Sequence, residues 1–162
     1  EYGYTENGEI TLFDKPLALK RETYNSAVDR ATTEREIKAL KTKGINTLCP
    51  DYPQPMWFYD ICDKVGMYVI DCAAIASPTN NENRDVDGTP VNAPELVDDY
   101  LARVEAMYRR AQNHACIIAF SLSNTTSGNG YNLYKAYELL KSMGDSRAIV
   151  YPAADGEWNS DL

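Results

Sequence analysis

A helix and the strand that follows it can be read from one stretch, Tyr59-Asp60-Ile61-Cys62-Asp63-Lys64-Val65-Gly66-Met67-Tyr68-Val69-Ile70-Asp71. Phe58, Ile61 and Val65 fall at helical spacing, so they predict one apolar helix face. Gly66 stands where a C-cap glycine ends such a helix. Residues 67–70 are a short apolar run, typical of a buried strand. The stretch therefore predicts a helix that leads directly into a strand.

The same alternation extends in both directions along the chain. Residues 1–20 read as a β entry segment, with a turn at Asp14-Lys15-Pro16, and residues 17–20 are expected to continue into the first core strand. A capping-box spacing predicts a helix from Thr33 with Glu36, and Pro94 opens the longest helix. Further short strands are predicted at 45–49, 116–120 and 148–151, with another helix before the last.

Strands that alternate with helices imply parallel strands joined by right-handed crossovers, an α/β fold. Two architectures fit: an open doubly wound sheet, or part of a (β/α)8 TIM-like barrel. A complete barrel needs about 250 residues. Periodicity does not choose between the two, and with about five parallel strands and their crossover helices a barrel would be partial. We expect residues 1–162 to form a single, incomplete domain of this kind.

Composition excludes several classes of function. A net charge of −8 would repel a phosphate backbone, so nucleic acid is not an expected partner. No run approaches the ~18 apolar residues of a membrane span, so no membrane partner is expected either. The four cysteines form no Cys-x-x-Cys pair, which argues against structural zinc. We expect neither a metal site nor a cofactor.

Function in both architectures gathers at the carboxyl ends of the strands. The residues predicted at those ends are Cys49, Pro50, Asp51, Asp71, Cys72, Asn124, Thr125 and Tyr151. They include few carboxylates and no histidine. The single histidine, His114, precedes its strand, so we expect a hydrogen-bonded structural residue there.

At these residues the chain resembles the catalytic barrel of glycoside hydrolase family 2, the β-galactosidase and β-glucuronidase family. The similarity runs in order from about residue 14 to residue 162. The stretch 59–71 resembles the family's second helix and third strand, and Asn113-His114-Ala115-Cys116-Ile117-Ile118-Ala119-Phe120-Ser121-Leu122-Ser123-Asn124 resembles its fourth strand. Asp145-Ser146-Arg147 resembles the approach to its fifth strand. The resemblance implies a partial TIM-like barrel.

The departures from the family concern the catalytic positions. The resemblance implies a general acid/base Glu after Asn124, where this chain has Thr125. Cys49 stands where the family has an Arg, and Cys72 where the family has a Glu. Some members bind a divalent cation through positions held here by Ala76, Pro78 and Thr125, residues that do not supply those ligands. The family's nucleophile Glu comes from a later strand than those seen here.

We therefore expect a degenerate family-2-like domain without hydrolase activity, with no catalytic residue and a carbohydrate-binding or structural role. The ligand groove is predicted at Asp51, Tyr52, Asp71, Asn124, Thr125 and the loop 77–94. Tyr52 would offer a stacking face, and the resemblance implies that Asn124 contacts the sugar. Two alternatives remain: an active β-galactosidase-like enzyme completed by other segments, and a self-associating domain. Neighbouring domains of a longer chain or a second copy are thus possible partners, and the resemblance suggests a secreted or periplasmic location.

Cys49 and Cys72 end consecutive strands of the predicted sheet. Parallel neighbours lie about 4.7–4.9 Å apart. If the two strands have equal phase, the two Cα atoms fall within the roughly 4.4–6.8 Å that permits a disulfide. We expect two neighbouring free thiols rather than a bond.

Overall fold

The computed structural model describes residues 1–77, 83–124 and 127–162, so Pro78 and Thr125 lie outside the described residues. Its first twenty residues form a small antiparallel sheet. The strands are β1 (Tyr2–Tyr4), β2 (Ile10–Leu12) and β3 (Lys15–Pro16). The turn before β3 lies one residue earlier than predicted, because Phe13 and Asp14 both adopt positive φ (48° and 64°). Two adjacent residues in that region make a tight hairpin turn.

Five parallel strands follow, each hydrogen-bonded to the next in chain order. They are β4 (Arg21–Thr23), β5 (Thr47–Cys49), β6 (Tyr68–Cys72), β7 (Ile117–Ser121) and β8 (Ala148–Val150). Residues 17–20 lead directly into the first core strand, β4, which begins at Arg21. Just before it, the backbone N–H of Lys20 donates to the Asn46 side chain (2.8 Å).

Four α-helices connect these strands. They are α1 (Arg30–Thr42), α2 (Met56–Val65), α3 (Val97–Ala111) and α4 (Tyr131–Ser142). Gly66 follows α2 in the left-handed conformation (φ 76°), as predicted for its C-cap.

Two predicted helix starts are wrong. At α1 the cap is Asp29, whose carboxylate accepts from the Thr32 N–H (2.7 Å). Thr33 lies inside the helix, and Glu36 accepts from the Tyr24 hydroxyl instead of closing a capping box. At α3 a 3-10 turn, Pro94–Leu96, precedes the helix, which begins at Val97.

The helices all pack on one face of the parallel sheet. Each contributes buried side chains to a single core, represented by Ile37, Phe58, Val104 and Leu133. The other face is covered by a second cluster in which Ile10 of the antiparallel segment packs with core-strand residues. In a doubly wound sheet helices would cover both faces. Consecutive strand order with helices on one face is the arrangement of a (β/α) barrel, here a partial one of five strands.

Among the described residues no helix is long and apolar enough to cross a membrane.

Candidate functional site

One cavity lies at the carboxyl ends of all five parallel strands. Its volume is about 170 Å³. The last residue of every strand contributes to its wall. The lining comprises Arg21, Thr23, Cys49, Pro50, Asp51, Ile70, Cys72, Ser121, Ser123, Asn124, Val150 and Pro152. The side chains are mostly hydroxyls, thiols and small apolar groups, with one carboxylate and one guanidinium.

Asp51 is held in place by Asn25, which follows β4. The Asn25 amide donates to Asp51 Oδ2, and its carbonyl oxygen accepts from the Asp51 N–H, both at 2.9 Å. Buried Gln54 supports this pair by accepting from the Ser26 N–H (2.7 Å) and donating to the Tyr52 carbonyl (2.6 Å). The carboxylate at the cavity wall is therefore fixed by hydrogen bonds to the loop that follows β4.

Asp71 does not belong to the cavity, which corrects the expectation for this residue. Successive residues of a strand point to opposite faces. Ile70 and Cys72 face the cavity, whereas Asp71 points towards the helices and accepts from the Tyr59 hydroxyl (2.7 Å). It is 1% exposed, and this burial raises the pKa of its carboxyl to about 6.

The remaining predicted ligand residues do not all lie at the cavity. Asn124 lines the cavity, and its backbone N–H donates to the Ile75 carbonyl (3.0 Å). Tyr52 is 53% exposed and is not part of the cavity wall. Thr125 and part of the loop 77–94 fall outside the described residues, while the described part of that loop buries Val91.

Cys49 and Cys72 both line the cavity as free thiols. Burial raises the pKa of both, that of Cys72 to about 12, so neither is an activated thiolate. Their strands are neighbours, but the assumption of equal phase is wrong. Leu48 pairs with Val69, so continuing the register sets Cys49 beside Ile70, two residues short of Cys72.

Arg21 and Thr23 are the cavity residues that sequence reasoning missed. They are two positions apart on β4, so both point to the same side of the sheet. The available signal is this spacing, but the apolar run at residues 17–20 does not show how far the first core strand extends. Ser121 and Ser123 were also missed, because their hydroxyls carry no signal that separates them from other serines near a strand end.

His114 lies at the opposite, amino-terminal end of the sheet and is structural, as predicted. Its Nδ1 is 2.8 Å from Asp63 Oδ2, and Asp63 Oδ1 accepts from the Cys116 N–H (2.8 Å). Asp60 approaches the same pair, its carboxylate within 4.8 Å of the other two ligand atoms. These hydrogen bonds tie α2 to the start of β7.

A divalent cation of the kind that the family resemblance implies does not fit the described residues. Ala76 offers a methyl group where a carboxylate would be needed. In the described part of the chain, the one group of potential ligand atoms close enough to share an ion is that of Asp60, Asp63 and His114, away from the cavity.

Comparison with known proteins agrees with this architecture. Residues 20–161 match the model of the TIM barrel domain of glycosyl hydrolases family 2. The chain is 35% identical over 158 residues to a β-galactosidase of Oenococcus oeni and 32% identical over 154 residues to one of Pectobacterium atrosepticum. Each alignment covers 90% of this chain but 14% of the relative.

Solved structures show the same fold. A β-glucuronidase of Parabacteroides merdae superimposes with a TM-score of 0.71 at 15% identity, covering 93% of this chain and 20% of that one. A β-glucuronidase from an uncultured Clostridium superimposes with a TM-score of 0.71 at 18% identity, covering 91% of this chain and 27% of that one. The five-stranded sheet, the cavity at its carboxyl edge and the match over residues 20–161 establish that this chain belongs to glycoside hydrolase family 2 and corresponds to part of its TIM barrel domain.

Proposed function

We propose that this domain binds a single sugar residue in its cavity and does not itself hydrolyse glycosides. The observation that carries the proposal is the carboxylate inventory of the cavity wall. Within the described residues Asp51 is its one carboxyl group. A retaining glycosidase needs two, about 5–5.5 Å apart, one as acid/base and one as nucleophile.

The orientation of Asp71 supports the loss of hydrolysis. Its carboxyl is the nearest other candidate in the strand sequence, but it is hydrogen-bonded to Tyr59 on the helix side of the sheet. Thr125, at the position of the family's acid/base, carries a hydroxyl, which does not exchange a proton near neutral pH as a tuned carboxyl does.

The rest of the wall supports sugar binding. Thr23, Ser121, Ser123 and Asn124 present hydroxyl and amide groups, and Asp51 presents a fixed acceptor. A volume of about 170 Å³ is below the roughly 300–1,000 Å³ of sites for drug-sized ligands, so it suits one ring rather than an oligosaccharide. The name β-galactosidase of the curated relatives makes galactose the first sugar to test.

Hydrolysis and binding are tested separately. Incubation with nitrophenyl β-galactoside should release no nitrophenol above the rate seen with Asp51→Asn. Turnover that Asp51→Asn abolishes would overturn the first half of the proposal. In an NMR titration with galactose, Asp51→Asn should weaken binding, whereas Asp60→Asn, an exposed change at the other end of the sheet, should not.

An active enzyme completed by other segments is the second candidate. It is favoured by the length of the β-galactosidase relative, of which this chain spans 14%, because the rest of such a protein could supply the missing catalytic groups. Activity of the full reading frame that depends on Asp51 would support it. Self-association is a third candidate, since the three residues of β4 are exposed and, among the described residues, this edge strand pairs with β5 alone. A solution mass of one chain would contradict it.

A further inference from the structure

We propose that Asp60, Asp63 and His114 form a binding site for a divalent transition-metal ion such as Zn²⁺, at the amino-terminal end of the parallel sheet. The site is separate from the cavity, so it does not depend on the proposed sugar-binding function. It departs from the expectation that the chain has no metal site. The sequence did not predict it, because Asp63 and His114 are 51 positions apart.

Two of the ligands lie on α2 and the third lies just before β7. Asp60 and Asp63 are three positions apart, so their side chains share one face of the helix. His114 faces them, with its Nδ1 2.8 Å from Asp63 Oδ2. One ligand atom from each of the three residues lies within 4.8 Å of the other two. The ligand atoms of a tetrahedral Zn²⁺ are about 3.3 Å apart, so a rotation of the exposed Asp60 side chain brings its oxygen to the ion.

The fold already orients two of these ligands. Asp63 Oδ1 accepts from the Cys116 N–H (2.8 Å), which leaves Oδ2 directed at the imidazole. The imidazole packs against the Tyr59 ring, with 5.4 Å between the ring centroids. Outer contacts of this kind fix the orientation of metal ligands and raise metal affinity. An ion bound between Asp63 and His114 takes the place of the proton in their hydrogen bond, and that proton passes to solvent.

The charges around the site favour a cation. In the described part of the chain, neither carboxylate forms an ion pair with a lysine or an arginine. Lys64, which follows Asp63, pairs instead with Glu34 (2.9 Å). The net charge of −8 adds long-range attraction for cations.

The set of ligand atoms favours a transition-metal ion over a hard cation. An imidazole nitrogen suits Zn²⁺ and Ni²⁺, whereas Mg²⁺ and Ca²⁺ take oxygen ligands. Three protein ligands do not fill a tetrahedral shell, so water completes it. Because the ligands come from α2 and from the residue before β7, the ion would cross-link these two parts of the fold.

NMR titration of the untagged protein tests the site directly. The chain has one histidine, so every imidazole signal belongs to His114. Zn²⁺ should shift these signals in a saturable way, whereas Mg²⁺ at the same concentration should not. Asp60→Asn should raise the Zn²⁺ dissociation constant by about 10–100-fold, the usual loss when a partner of a metal ligand is removed. Asp98→Asn, the same change at an exposed aspartate of α3, should leave the constant unchanged.

Urea unfolding gives a second readout. An ion that binds the folded chain raises its unfolding midpoint by mass action. Relative to metal-free buffer, Zn²⁺ should therefore raise the midpoint of the wild type and of Asp98→Asn more than that of Asp60→Asn.

Several outcomes would overturn the inference. Zn²⁺ that does not bind, or that binds and leaves the His114 signals unshifted, shows that these residues are not the site. Equal affinity for Zn²⁺ and Mg²⁺ shows a negatively charged surface without a transition-metal site. An Asp60→Asn variant that binds Zn²⁺ as tightly as the wild type excludes the third ligand. Sugar titrations in metal-free buffer are independent of all these results, because the cavity lies at the opposite end of the sheet.

Discussion

Asp51 and Asp71 show how one residue type takes two roles at the same edge of a sheet. Each stands at or just after the end of a parallel strand. Asp51 reaches the cavity and is fixed by Asn25, whereas Asp71 is buried beside Tyr59. Asp51 lies in the loop beyond the end of β5, which turns over the cavity. Asp71 lies within β6, where the alternation of side chains along a strand points it away from the cavity that its two neighbours face.

The buried carboxyl makes stability depend on pH. Its pKa rises from 3.8 to about 6 in the folded protein. The folded state therefore holds more protons than the unfolded state between these values, and stability falls as pH rises through them. From well below pH 4 up to pH 7, the free energy of unfolding falls by about 3 kcal/mol in total for this reason.

Asp71→Asn tests this account, because an amide does not titrate but keeps an acceptor for the Tyr59 hydroxyl. Urea unfolding at pH 4, 5, 6 and 7 should show the free energy of unfolding of the wild type falling with pH. Between pH 4 and pH 7 this fall should be smaller in the variant by about 2 kcal/mol, since part of the total effect lies below pH 4. Exposed Asp60→Asn should behave like the wild type. An unchanged pH profile in Asp71→Asn would contradict the assignment.

The two cavity cysteines lead to a prediction about oxidation. Cys72 lies two residues beyond the level of Cys49, which adds roughly 6.6 Å along the strand to about 4.8 Å between strands. The Cα separation of about 8 Å exceeds the 7 Å limit for a disulfide. Mild oxidation followed by peptide mapping should therefore find no Cys49–Cys72 link. Its appearance would show that the register of β5 and β6 differs from the one described.

Among the elements, α4 depends on a close approach at its first turn. The Tyr131 N–H donates to Asn92 Oδ1 (3.1 Å), so a side chain from the segment before α3 caps the helix. Gly130 makes this possible, because a Cβ at that position would overlap the Asn92 amide. The amide has little room to move, since it is buried and also donates to Thr89 (3.0 Å).

Gly130→Ala should destabilise the fold by about 1–3 kcal/mol, through overpacking and loss of the cap. The measurement is the free energy of unfolding in urea. In an Asn92→Ala background the overlap is absent, so the same change should cost less, with a coupling of about 1 kcal/mol or more. Additive effects of the two substitutions would argue against the contact.

For the whole molecule, the antiparallel segment closes the sheet face opposite the helices. Ile10 of β2 is 2% exposed and packs in one cluster with Ile70 and Ile118 of the parallel strands. Tyr2 strengthens the attachment, because its hydroxyl donates to the Ala115 carbonyl (2.7 Å). The segment is thus part of the core and not a surface hairpin.

Ile10→Ala should lower the free energy of unfolding by about 2–5 kcal/mol, the usual cost of removing a buried aliphatic side chain. Val28→Ala, at a fully exposed valine, is the matched control and should change it by less than about 0.5 kcal/mol. If both variants have the same stability, residues 1–20 do not close the sheet as described.

The sequence by itself determined the alternation of strands and helices and the C-cap at Gly66. These depend on residues a few positions apart, whose spacing can be counted. It also placed Cys49, Asp51, Cys72 and Asn124 near the carboxyl edge, because strand ends follow from apolar runs.

Only the tertiary structure decided which side chains meet in the cavity. Arg21 lines the cavity and Asp71 does not, because the face to which a strand residue points depends on how the strand is placed in the sheet. The start of β4 in turn depends on a distant residue, since the Lys20 N–H just before it donates to the Asn46 side chain. The tertiary structure likewise decided between an open sheet and a barrel. Apolar strands look the same whether helices cover both faces or one, and the antiparallel segment around Ile10 occupies the face that helices leave uncovered.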